Sequence, residues 1–246
     1  MSASTEAAAG GPQAPAPPGL RVDHLVWVAS SLEEGAAAFE ALTGVAPGPG
    51  GRHEGVGTHN MLVSLGEGRY LEILAADPSQ PPCPPWLGLD AAPAPRLSTF
   101  CAQPCSGAVT LAQVGEVACA QAGYDIGPVK EMSRRTVAGD LLEWNLAAAN
   151  HRCSYAELPM GGIVPFLVDW SPNKLPHPSE TAPGGCTLVA LSAEHPDPAS
   201  VEPILAALGA DQCFEQSESA PRGVAKGPEA RLLAKLSTPK GLVTLA

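Results

Sequence analysis

Two glutamates of this 246-residue chain stand in apolar runs, Tyr70-Leu71-Glu72-Ile73-Leu74 and Leu141-Leu142-Glu143-Trp144. An ionised carboxylate in such a setting is costly unless it meets a cation or a metal ion. Arg52, Arg69, Arg134 and Arg135 are the side chains that could supply ion pairs instead. A histidine stands in a third apolar run, Val22-Asp23-His24-Leu25-Val26-Trp27-Val28. Strand alternation puts His24 on one face with Val26 and Val28, and Glu72 on one face with Tyr70 and Leu74. Carboxylates and an imidazole in one place could move a proton or hold a divalent ion. His59, near Glu72 in a neighbouring run, could line the same pocket or make a capping contact at the strand entrance. Trp170 and Phe166 could form an aromatic wall or pack in the core. His177, set between Pro176 and Pro178, reads as a loop residue.

The seven cysteines form no CxxC pair, their number is odd, and no secretory signal precedes them, so free thiols in a cytoplasmic protein are expected. The formal net charge of −11, from 25 acids against 14 Lys and Arg, speaks against nucleic acid, whose phosphates need cationic partners. It equally disfavours anionic membrane surfaces, and no apolar run approaches the roughly 18 residues that span a bilayer.

The elements that must position these residues recur along the chain. Residues 1–19 are rich in Ala, Gly, Pro and Ser and read as a disordered tail. After the strand at Val22–Val28, Ser31 and Glu34 make a capping-box pair, and Leu32, Ala36, Phe39 and Leu42 follow at helical spacing until Gly44. A Gly/Pro-rich loop leads to two strands, 58–65 and 70–74. The order then returns: strand 97–102, helix 109–122 closed by Gly123, and a hairpin at 134–137 and 141–146. In this alignment Gly68–Leu74 matches Gly139–Asn145, which makes Glu143 the counterpart of Glu72. An apolar strand lies in 161–170 and a linker at 171–185. A third, degenerate copy without the carboxylate runs over 186–246. Repetition of this size is the mark of a fold built from modules.

The runs Asp-His-Leu-Val at 23–26, Gly-Thr-His-Asn at 57–60, Tyr-Leu-Glu-Ile-Leu at 70–74, and Pro-Phe-Leu-Val-Asp-Trp at 165–170 followed by His177-Pro178 resemble the glyoxalase-like branch of the vicinal oxygen chelate superfamily. The resemblance implies an α+β fold of repeated βαβββ modules forming curved mixed sheets. Modules would pair over 20–170, and a third would follow over 186–246. It implies a metal held by the first and last strands of each module, which points to His24, Glu72 and Glu143, with Thr99 where a fourth ligand would stand. Such a donor set suits Mn²⁺, Mg²⁺, Fe²⁺ or Zn²⁺. The implied function is a metal-dependent lyase, isomerase or oxygenase acting on a small oxygenated molecule. Glu72 and Glu143 would be catalytic, and His59, Trp170 and Thr99 would contact substrate. The alternative is a metal-free small-molecule binding protein on the same fold. A homodimer is left open.

Overall fold

The computed structural model describes residues 16–81, 85–89, 95–136, 138–221 and 223–246. Most of the expected tail, and Cys83, lie outside them. Order already includes the last tail residues, since the Gly19 carbonyl accepts from the Cys105 amide.

Among the described residues, twelve strands and four α-helices follow one another along the chain. The first module is β1 (Leu20–Val28), α1 (Leu32–Thr43), β2 (Gly48–His53), β3 (Thr58–Ser64) and β4 (Tyr70–Ala76). The second is β5 (Arg96–Pro104), α2 (Leu111–Ala122), β6 (Lys130–Thr136), β7 (Leu141–Ala147) and β8 (Phe166–Asp169). Ser31 caps α1 by accepting from the Glu34 amide, and Gly44 ends it in the left-handed region. Thr110 and Gln113 form a reciprocal capping box on α2, and Gly123 terminates it.

The eight strands close into a barrel of order β1-β4-β3-β2-β6-β7-β8-β5. Within each module the first and last strands run parallel, β1 beside β4 and β5 beside β8. The modules meet along two seams, the antiparallel pairs β1–β5 and β2–β6. This is the curved mixed sheet expected from the repeat, but it corrects the alignment inside the second module. Its last strand is β8, not β7, because β8 is the strand that pairs parallel with β5. The hairpin β6–β7 is therefore the counterpart of β2–β3, and β7, with Glu143, corresponds to β3 rather than to β4.

The chain continues through a four-residue helix, α3 (Pro178–Thr181), into β9 (Thr187–His195), α4 (Pro198–Leu208), β10 (Val224–Lys226), β11 (Arg231–Thr238) and β12 (Gly241–Leu245). These last strands form a separate sheet of order β10-β9-β11-β12. The first strand of this unit lies between its second and third, unlike β1, so the third copy repeats the order of elements but not the pairing. No helix among the described residues is long and apolar enough to cross a membrane.

Alternation along the strands divides the apolar side chains into two clusters. Leu25, Trp27, Leu71, Ile73 and Phe100 face outward into a core shared with Phe39 of α1, Val114 of α2, Leu205 of α4 and the second sheet. Val26, Val28, Leu74, Cys101, Leu142, Trp144, Phe166 and Val168 fill the barrel interior. At α1 the helix lies so close to the barrel that a Cβ on Gly35 would come within 2.6 Å of the Ile73 side chain.

Candidate active site

Most polar groups of the barrel interior stand on the first-module side, and Arg134 faces them from the second. β1 supplies two polar groups in succession. The β1–β5 register shifts between Val22 and His24, an irregularity that re-aims a side chain and lets Asp23 enter the barrel beside His24. Asp23 is fully buried and meets four donors or rings. Its Oδ1 lies 2.6 Å from His24 Nδ1, and its Oδ2 accepts from Gln103 Nε2 at 2.6 Å and Trp170 Nε1 at 2.9 Å. His177 Nε2 completes the set at 3.2 Å; its Nδ1 accepts from the Ser179 amide, so the proton sits on Nε2 and is donated to Asp23.

Burial by itself would raise the Asp23 carboxyl. The hydrogen bonds and charges of His177 and His24 overcome it and hold the group down at about 2, so Asp23 is ionised. His24 Nδ1 then carries a proton and donates it to Asp23, which turns Nε2 toward the cavity. Tyr70, the partner of His24 across β1–β4, stacks on the imidazole at 4.6 Å between centroids.

Glu72 projects from β4 toward that nitrogen, with Oε2 3.7 Å from His24 Nε2. Asn60 Nδ2 donates to Glu72 Oε1 at 2.6 Å and to His53 Nε2 at 3.3 Å. Because an amide nitrogen can only donate, His53 Nε2 accepts, and His53 Nδ1 donates to Thr58 Oγ1 at 2.8 Å. Burial lowers the pKa of His53, against the raising effect of Glu72, so the ring stays neutral. Burial first, and the charges of Asp23 and Glu72 after it, raise Tyr70 and Cys101 well above their ordinary ranges, and both remain protonated.

Arg134, from β6, reaches the same cavity, buried in its wall and donating Nη1 to the Gly50 carbonyl at 2.7 Å. Trp86, Trp144, Trp170, Phe166, Met132 and Leu74 complete a cavity of about 60 Å³.

The sequence-derived positions fare unevenly. His24 and Glu72 converge. Trp170 lines the cavity and anchors Asp23. Glu143 does not join them: on β7 the inward side chains are Leu142 and Trp144, so Glu143, one residue out of phase, is exposed on the outer face. His59 also faces outward, beside Arg52 and Met61 under α1, and its neighbour Asn60 is the residue that points in. Thr99 is buried and donates Oγ1 to the Gly162 carbonyl at 2.9 Å, away from the cavity lining. The fourth ligand position is filled instead by Cys101, which pairs with His24 across β1–β5.

Asp23, His53, Asn60 and Cys101 were missed as site residues, and Arg134 was read only as an ion-pair partner for the glutamates. Asp23 is hidden because parity assigns it to the outer face and only the register shift turns it in. His53 lies in Gly-Pro-Gly-Gly-Arg-His, which reads as loop and forms a strand only between β3 and β6.

Among the described residues one trio of metal-ligand types is compact: Asp23, His24 and Cys101 bring ligand atoms within 4.8 Å of one another. Ligation by Cys101 would require loss of a thiol proton that burial favours. Asp23 is already engaged with His24, Gln103, Trp170 and His177. The pair His24 and Glu72 fits better. Their facing atoms are 3.7 Å apart, too far for a hydrogen bond, while ligand bonds of about 2.0–2.2 Å each would span the gap. A carboxylate behind the other imidazole nitrogen, as Asp23 is, also commonly orients a metal-bound histidine.

Residues 22–209 match the family model described as glyoxalase-like domain. No curated protein matches the chain. Among solved structures, a hypothetical protein from Staphylococcus aureus aligns over 92% of this chain and 84% of its own, with 11% identity and a TM-score of 0.53. Methylmalonyl-CoA epimerase from Mycobacterium tuberculosis aligns over 60% of this chain and 86% of its own, with 16% identity and a TM-score of 0.36. A mutant 4-hydroxymandelate synthase from Streptomyces coelicolor aligns over 93% of this chain and 62% of its own, with 14% identity and a TM-score of 0.48. At 11% identity the first of these likenesses bears on the fold and not on chemistry.

Proposed function

The chain belongs to the glyoxalase-like domain family, and from that premise we propose that it is an enzyme acting on a small oxygenated molecule in the barrel, with Glu72 as its proton-transfer base. The observation that carries this reading is the buried line Asp23–His24–Glu72, which ends on a carboxylate aimed into a largely apolar cavity. Asn60 holds one Glu72 oxygen by donating to it, and so fixes the orientation of the carboxylate. Asp23 fixes His24 so that Nε2 faces the ligand space beside the other Glu72 oxygen. The tryptophan walls are apolar and lower the local dielectric, which strengthens each of these interactions. Together these groups suit removal and return of a proton on a carbon next to a carbonyl.

The test is exchange of substrate hydrogen for deuterium in D2O, followed by NMR over a panel of small carbonyl compounds. At least one compound is expected to exchange with the native protein and not with Glu72→Gln, in which Asn60 can still donate to the amide oxygen. Exchange unaffected by the substitution overturns the role of Glu72. Exchange with none of the panel favours the alternative of a binding protein on the same fold.

The 3.7 Å gap supports a second reading, in which His24 and Glu72 hold a divalent ion. Such an ion would act as a Lewis acid toward a substrate oxygen. Elemental analysis of protein purified without chelator separates the two: one bound equivalent per chain that is lost in His24→Ala supports the metal reading.

A further inference from the structure

We propose that Arg134 is a carboxylate anchor, and that the ligand of the barrel cavity is a small monoanionic organic acid. This rests on the reading of the cavity as a reaction site, and it names the class of molecule that enters.

A guanidinium carries five N–H donors and stays charged in a protein. Arg134 is only 7% exposed, yet a single bond, to the Gly50 carbonyl, is seen for it. The arginine ion pairs among the described residues belong to Arg52, Arg69 and Arg231, and no carboxylate lies within 4.0 Å of Arg134. Glu72 shares its cavity, but the Glu72 oxygens are turned to Asn60, His53 and His24. A buried cation and a buried anion therefore face one cavity without touching.

Among the described residues no Arg134 nitrogen is a sealed donor without a partner, so the donors that Gly50 does not take open on the cavity. An anion with two oxygens in one plane meets the guanidinium fork with paired hydrogen bonds, the geometry in which arginine binds carboxylates best. The neighbouring groups agree. The Asp23 oxygens are taken by His24, Gln103, Trp170 and His177, and His53 is neutral, which leaves Glu72 and Arg134 as the opposed pair lining the cavity. A carboxylate seated on Arg134 would keep clear of Glu72, while a C–H on the far side of the ligand's own carbonyl could face the Glu72 base.

Size restricts the class further. The cavity of about 60 Å³ has room for about four waters at 10–15 Å³ each, so a short chain fills it. The remaining wall, Phe166, Trp144 and Leu74, suits a hydrocarbon end. Arg134 also borders a second space of about 410 Å³, lined by Gly50, Leu62, Leu142 and Pro178, from which an anion could reach it.

The full chain is titrated with pyruvate, with its neutral amide pyruvamide, and with inorganic phosphate. The signal is tryptophan emission, because Trp86, Trp144 and Trp170 line the cavity. Pyruvate is expected to bind saturably and at least about tenfold more tightly than either other probe, as loss of a charge-assisted buried contact implies. Arg134→Met should weaken pyruvate by about the same factor and leave pyruvamide unchanged, with Arg134→Lys in between. Glu72→Gln should keep pyruvate binding while losing exchange, so failure of the anchor and failure of the base are told apart. Equal affinity for pyruvate and pyruvamide overturns the proposal, as does undiminished binding in Arg134→Met, phosphate binding as tight as pyruvate, or no binding of any probe. If Arg134→Met does not fold, the pyruvate-to-pyruvamide ratio in the native chain decides.

Discussion

Asp23 and His24 are consecutive residues of one strand, yet both side chains enter the barrel, with Asp23 Oδ1 2.6 Å from His24 Nδ1. Regular alternation would send one of them outward. The register shift against β5 removes that constraint at one residue and gives the barrel a fixed imidazole and a buried charge. Asp23 also ties in the segment after β8, since Trp170 and His177 both donate to its Oδ2.

The buried charge should show in acid. Burial opposes ionisation of Asp23, but its histidine partners hold the carboxyl at about 2, below its unfolded value near 3.8. The resulting stabilisation, about 2 kcal/mol, is present above pH ~4 and is lost as pH falls toward 2. Urea midpoints measured between pH 5 and 2 should fall less steeply in Asp23→Asn than in the native chain. Parallel curves would mean that Asp23 is not ionised through its partners.

A second titration works through a different group. His151 is buried, with Nε2 donating to the Val164 carbonyl and Nδ1 without a partner, and burial lowers its pKa to about 4 despite that bond. The unfolded chain takes up this proton near pH 6.5, before the folded one does. Stability is thus intact above about 6.5 and declines as pH falls toward 4, by about 2 kcal/mol between pH 7 and 5. His151→Phe should remove most of that decline in denaturant melts at the two pH values.

Removal of either glutamate separates the two faces of the barrel wall. Glu143→Ala, at an exposed site, should shift stability by no more than about 0.5 kcal/mol and leave hydrogen exchange of the substrate unchanged. Trp144→Ala, one residue along and inward, should cost about 3 kcal/mol in a denaturant melt. A Glu143→Ala variant without exchange activity would place that side chain back in the site.

The histidines of β2 and β3 provide a similar contrast. His53→Ala strands Thr58 Oγ1 and an Asn60 amide hydrogen inside the barrel, at a cost of about 1–3 kcal/mol, and should lower exchange by releasing Asn60 from its position. His59→Ala, on the outer face, should change neither by a measurable amount. Equal effects of the two substitutions on exchange would contradict the parity seen here.

Much of the architecture was legible because it depends on local chemistry. Ser31 and Gly44 bound α1, Thr110 and Gly123 bound α2, and the alternation of Val22–Val28 and Tyr70–Leu74 places His24 and Glu72 on the inner face. Those are short-range preferences that a sequence carries by itself. What lay beyond it was pairing between distant strands. β2 is too rich in glycine and proline to announce a strand, and it becomes one only between β3 and β6. That pairing brings in His53. β8 looked like an addition after the second module until its parallel pairing with β5 made it the last strand, which moved Glu143 out of equivalence with Glu72. Because strand side chains alternate with a period of two, a one-residue difference in phase moves a side chain from the cavity to solvent, as with Glu143 against Trp144 and His59 against Asn60. Sequence alone therefore determined the modules and the pair His24–Glu72. Closure of the barrel decided that Asp23, His53, Asn60 and Arg134 surround that pair, since their approach depends on register and on a strand irregularity that only long-range pairing sets.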